Sequence, residues 1–110
     1  MGTSKTEHFT ERENRMALLA KAMGHPARIA ILEFLAKSNQ CMCGDIVEEL
    51  PLAQPTVSQH LKELKHAGLI KGTIDGTSVC YCIDENGVDA LMEYIRNLSA
   101  IIKETKSRCC

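Results

Sequence analysis

Cys41-Met42-Cys43 and Cys80-Tyr81-Cys82 are two Cys-x-Cys pairs, and Cys109-Cys110 adds a third pair of thiols. Residues at alternate positions share one face of an extended strand, so two such segments lying side by side would gather four sulfurs. Four thiolates suit tetrahedral zinc, and three suit a soft metalloid. Two close, accessible thiols form a reversible disulfide. A free Cys also packs as a small hydrophobe, so core filling stays open beside metal binding and redox switching. Cys109 and Cys110, adjacent on a tail, can chelate arsenite or a similar soft ion, or can be inert. No Cys-x-x-Cys in a βαβ setting, Ser/His/Asp set or paired-carboxylate pocket is evident, so the chain does not read as an enzyme.

The elements that position these thiols must come from 110 residues, one domain with a modest core. Two Phe, two Tyr and no Trp make that core aliphatic. The formal net charge is -1, so no global basic field recruits nucleic acid, and any such binding needs a local patch. No apolar run approaches the length of a membrane span. The opening MGTSKTEHFTEREN lacks the apolar stretch of a secretory signal, so the expected location is the cytoplasm, with no membrane partner. In that reducing compartment thiols take metal, redox or core roles.

Apolar spacing predicts a helix over Glu11–Met23 with Met16, Leu19, Ala20 and Met23 along one face. Gly24-His25-Pro26 punctuates the chain, and Pro26 fits the first turn of a second helix whose inward stripe is Ile29, Leu32, Leu35 and Ala36. GDIVEEL, residues 44–50, reads as a short helix with Asp45 near its positive end. After a break, Gln54-Pro55 opens a helix that turns Val57, Leu61 and Leu64 inward and stops at Gly68. Asp75-Gly76 between β-prone runs signals a hairpin, with strands near 69–74 and 77–83. In the last helix Val88, Leu91, Ile95, Leu98 and Ile102 form a narrow seam suited to pairing with another helix, here that of a second subunit. Met16, Met23 and Met92 fit core stripes. The fold class is mainly α with a β-hairpin: one winged helix-turn-helix domain over 1–110, with the helix-turn-helix at about 44–66, the wing at about 69–83 and the last helix at about 86–104.

A helix that enters the major groove needs an apolar back and a polar front near its N-terminus. QPTVSQHLKELKHAG supplies both. Gln54, Thr56, Ser58 and Gln59 can reach base edges or phosphates, Lys62 and Lys65 can reach phosphates, and Gly76 and Thr77 stand at the wing tip. His60 falls at the margin between that face and the core. From Gln54 to Thr73, three lysines against Glu63 leave a local balance of +2, which a two-fold dimer doubles while matching a palindromic site. A winged helix can also serve as a protein-interaction adaptor, the distant alternative. His8 reads as solvated, His25 as a structural corner residue, and His66 as a helix end that either touches phosphate or is simply exposed.

AKAMGHPARIAILEFL, GDIVEEL, QPTVSQHLKELKHAGLI and GTIDGTSVCYCI together closely resemble the ArsR/SmtB family of bacterial repressors, over roughly residues 15–83. The resemblance implies a homodimer joined through its first and last helices. It implies that the helix from Pro55 to Lys65 binds double-stranded operator DNA, which is released on meeting a metal ion, metalloid or oxidant. No cofactor is required, and arsenite, zinc or another thiophilic ion is the implied effector. A thiol-redox-responsive or effector-independent regulator of the same type is the alternative. The family's arsenic and cadmium sensors carry Cys-x-Cys-Asp at the entry to the helix-turn-helix. Here the run is Cys41-Met42-Cys43-Gly44-Asp45, one residue out of register. The zinc sensors use His on the last helix, and no His follows Asn86. Winged helices often place a short strand beside the wing just before the helix-turn-helix, which would set Cys41 and Cys43 against Cys80 and Cys82.

Overall fold

Thr10 opens the first helix with a reciprocal pair of bonds. The Glu13 N–H donates to Thr10 Oγ1 and the Thr10 N–H donates to Glu13 Oε1, both at 3.0 Å, which satisfies two donors that a helix start leaves bare. A computed structural model describes residues 8–38, 42–43, 50–75 and 78–105, with the backbone alone for 42, 43, 74, 75 and 78. Helix α1 runs Glu11–Met23 and α2 runs Pro26–Ser38; strand β1 is Met42–Cys43. Helix α3 is Gln54–Ala67, strands β2 (Ile70–Asp75) and β3 (Ser78–Ile83) make the hairpin, and α4 is Glu85–Thr105. Of the short helix expected over 44–50, all but Leu50 lies outside the described residues, as do Gly76 and Thr77.

The core gathers where α1, α2 and α3 meet the base of the hairpin, and Leu19, Ile31, Val57, Leu64, Leu69 and Ile70 are its fully buried side chains. Two expected stripes are corrected. On α1, Ala22 is buried and Ala20 is exposed, because two small alanines on either side of Lys21 leave the edge of the stripe to whichever one faces the neighbouring helix. On α2, Ile31 and Leu35 point inward while Ile29 and Ala36 are exposed. That helix is apolar on nearly every side, so periodicity does not fix its facing side. Met92, expected in the core, is also exposed.

The sheet is antiparallel with strand order β1-β3-β2. Ile70 pairs with Ile83 and Gly72 with Tyr81 across the hairpin, while Met42 pairs with Tyr81 and Cys43 with Cys80 on the other side of β3. The short strand expected beside the wing is therefore present.

Two corners are bolted together where the hairpin ends. Gly68 closes α3 in the left-handed region at φ 95°, and its N–H reaches back to the Leu64 and Lys65 carbonyls. The Asp84 N–H donates to the Leu69 carbonyl at 2.9 Å, and the Asp84 carboxylate accepts from the Asn86 N–H at 3.1 Å, capping α4. Gly87 sits so tightly on the Gly68 carbonyl that a Cβ there would overlap it. The end of α3 and the start of α4 thus form one rigid joint. Among the described residues no helix is long and apolar enough to cross a membrane.

Candidate nucleic-acid interface and the wing thiols

Helix α3 is built to be held by one face and read by the other. Val57, Leu61 and Leu64 are buried, while Gln54, Thr56, Ser58, Gln59, Lys62, Lys65 and His66 are exposed. Pro55 in the first turn removes an amide that would have no partner. Ala53 offers no side-chain cap, which leaves the other first-turn amides open to an acceptor from outside. Gln59 Nε2 donates to Glu63 Oε2 at 3.0 Å one turn on. The Lys65 amine lies over Gly72 with the Tyr81 ring, bridging helix and wing.

His60 is turned the other way. It retains 8% of its exposure, too little to touch a base, and this corrects its place among the groove-facing residues. Arg28 Nε donates to His60 Nδ1 at 3.0 Å, and Arg28 Nη1 donates to the Ala22 carbonyl at 3.2 Å. The His25 and His60 rings lie 4.5 Å apart, and His25 Nδ1 accepts from the Ala27 N–H at 3.0 Å. Burial, then His25 and Arg28, push the His60 imidazole below its ordinary value, so it stays neutral and keeps Nδ1 as an acceptor. This cluster joins α1, α2 and α3 and was not legible in the sequence, where His25 and Arg28 sit 35 and 32 residues from His60. A His and an Arg flanking Pro26-Ala27 were the only hint.

Cys80 is buried and Cys82 half-buried, and both are disulfide-bonded. Cys43 is the Cα partner of Cys80 across the β1–β3 ladder. Cys41, Cys109 and Cys110 lie outside the described residues. Among the described residues no three His, Cys, Asp or Glu side chains gather as a metal site.

Residues 25–71 match the model of a bacterial regulatory protein family, arsR. The chain is 37% identical over 89 residues to an HTH-type transcriptional regulator of Methanocaldococcus jannaschii, covering 80% of this chain and 99% of that protein. The chain belongs to the ArsR family. This ArsR-family protein is also 30% identical over 94 residues to the arsenical resistance operon repressor of Staphylococcus aureus, covering 86% of each chain.

 The ArsR-family protein is 31% identical over 92 residues to the transcriptional activator HlyU of Vibrio cholerae, covering 84% of each chain. The crystal structure of another ArsR family transcriptional regulator superposes with a TM-score of 0.75 at 17% identity, covering 86% of this chain and 97% of that one, which supports the winged-helix fold. The ArsR-family protein is a DNA-binding regulator of transcription, and its relatives are regulators, not enzymes.

Proposed function

We propose that two copies of this chain pair through α4 and bind a palindromic operator as a cytoplasmic repressor, with α3 of each copy in a major groove. The observation that carries the reading is the division of α3 into a buried apolar back and an exposed polar front at its N-terminal end. Gln54, Thr56, Ser58 and Gln59 are the base- and phosphate-facing residues, Lys62 a phosphate contact, and Lys65 a contact where helix meets wing.

The dimer reading rests on the seam of α4. Leu91 is buried within the chain, but Ile95, Leu98 and Ile102 are 55%, 42% and 61% exposed. An open apolar groove of about 440 Å³ between α2 and α4, lined in part by Leu32, Ile83, Leu91, Met92 and Ile95, runs into the same stripe. Apolar surface of this kind is stabilised by burial against a second copy. Because α4 is bolted to the end of α3, the angle of the dimer would set the spacing of the two reading helices.

Release follows when the thiols meet a soft ion or an oxidant. The arsenical resistance repressor among the relatives makes arsenite the first inducer to test. Cys41, Cys43, Cys80, Cys82, Cys109 and Cys110 are the candidate ligands, and no resident cofactor is needed. Ligation requires thiolates, so an ion effector weakens as pH falls. Operator release titrated with arsenite, zinc, cadmium and a mild oxidant, against Cys→Ser variants, tests this reading. Release that is the same in every variant removes the sensing role and leaves DNA binding intact.

A further inference from the structure

We infer that Cys43 and Cys80 form a cross-strand disulfide that opens and closes by thiol–disulfide exchange, a modification site joining the helix-turn-helix entry to the wing. The inference rests on the regulator reading above and names the thiols and the chemistry that reading leaves open. Three observations carry it. Cys80 is disulfide-bonded. Its Cα partner on the neighbouring strand is Cys43, and directly opposed residues of an antiparallel pair stand within the range a disulfide spans. Cys82, also disulfide-bonded, is the next residue of β3 on the same face.

The location gives the bond its consequence. Strand β1 is two residues long, so without a covalent tie it is held to β3 by few ladder bonds, and short pairings of that kind open readily. β1 leads toward α3, and β3 is the inner strand of the wing. Closing the bond removes the freedom of helix and wing to adjust to one duplex together. Opening it restores that freedom. In a cytoplasmic protein a disulfide is usually a transient, redox-sensing one and not a permanent staple.

The co-reactant is a low-molecular-weight disulfide. The thiolate of one cysteine attacks a sulfur of that molecule, forming a mixed disulfide and expelling one small thiolate. The second cysteine's thiolate then attacks the protein sulfur of the mixed disulfide and expels the other. One protein S–S bond forms, one small-molecule S–S bond breaks, and the two protons of the cysteines leave on the two small thiols. The protein pair is oxidised by two electrons and the reagent is reduced by two.

Trypsin separates the relevant thiols cleanly: peptide 38–62 holds Cys41 and Cys43, and peptide 72–96 holds Cys80 and Cys82. Full-length protein equilibrated with oxidised and reduced glutathione, alkylated and digested without reductant, should yield these two peptides joined. The joined species should disappear with excess reduced glutathione and persist in a Cys109→Ser/Cys110→Ser variant. Operator affinity of the oxidised wild type should fall by about fivefold or more from the reduced value, the scale of an ordinary coupling between sites. A Cys80→Ser/Cys82→Ser variant should bind equally under both conditions. Peptides that stay fully alkylated after oxidation, or link elsewhere, overturn the inference, as does equal affinity of oxidised and reduced wild type. If the reduced protein binds no operator, the regulator reading fails, while the peptide map still decides whether the bond exists.

Discussion

Arg28 Nε donates to the buried Nδ1 of His60 at 3.0 Å, across 32 residues of sequence. The bond fixes α3 from behind, opposite the face that meets DNA. Arg28→Ala would leave a buried acceptor unpaired and bare the Ala22 carbonyl, at a cost of about 1–3 kcal/mol of stability. Urea denaturation at pH 7.5 measures it. Arg28→Lys should recover only part, because an ammonium on a flexible stem does not reproduce the forked geometry that holds both acceptors.

His60 also sets a pH dependence. Its folded-state value lies below the ordinary one, through burial and then through His25 and Arg28. A depressed group binds more protons unfolded than folded, so its contribution is complete above the unfolded value and is lost as pH falls through that value toward the folded one. The urea midpoint should therefore decline as pH falls from about 7.5 to 5.5, across the ordinary His range. In His60→Asn the decline should be shallower, whatever the variant's absolute stability. A parallel decline in both proteins would assign the effect to other groups.

The joint between α3 and α4 should tolerate little. Alanine at Gly87 would overlap the Gly68 carbonyl, and overpacking against backbone costs about 1–3 kcal/mol or more. Gly68→Ala has open space around it but must hold φ 95°, which costs about 1 kcal/mol. Thermal unfolding of the two variants should thus rank Gly87→Ala below Gly68→Ala.

Much of this architecture is written in local signals. Pro26, Gln54-Pro55, Gly68 and Asp75-Gly76 mark ends and turns through backbone chemistry alone, and the helices and hairpin start and stop near them. The front of α3 is legible because polar and apolar residues alternate at helical spacing. What the sequence does not carry is tertiary choice. The inward face of α2 is not legible, because a helix apolar on nearly every side has no preferred face. The inward turn of His60 is not legible either, because its partner Arg28 lies on another helix and nothing local reports that pairing. The Cys43–Cys80 pairing was foreseeable only as a strand alternative, since two-residue β1 is too short to show a period.

The α4 seam predicts assembly. Ile95→Glu with Ile102→Glu places two carboxylates on the exposed stripe and should convert a dimer to a monomer in light scattering, leaving the helical circular dichroism signal largely intact. Operator affinity should fall with it, since each half-site then binds alone and the benefit of linkage is lost. A wild type that is already monomeric at micromolar concentration contradicts the dimer.

The most direct test is fluorescence anisotropy with a duplex from the region upstream of the protein's own gene, across a salt series from about 50 to 200 mM. The account predicts binding at low salt that weakens linearly on a log–log plot, and a slope reduced by about 2 in Lys62→Ala, one phosphate contact per protomer. No binding at the lowest salt, or binding with a Lys62→Ala slope equal to that of the wild type, would contradict it.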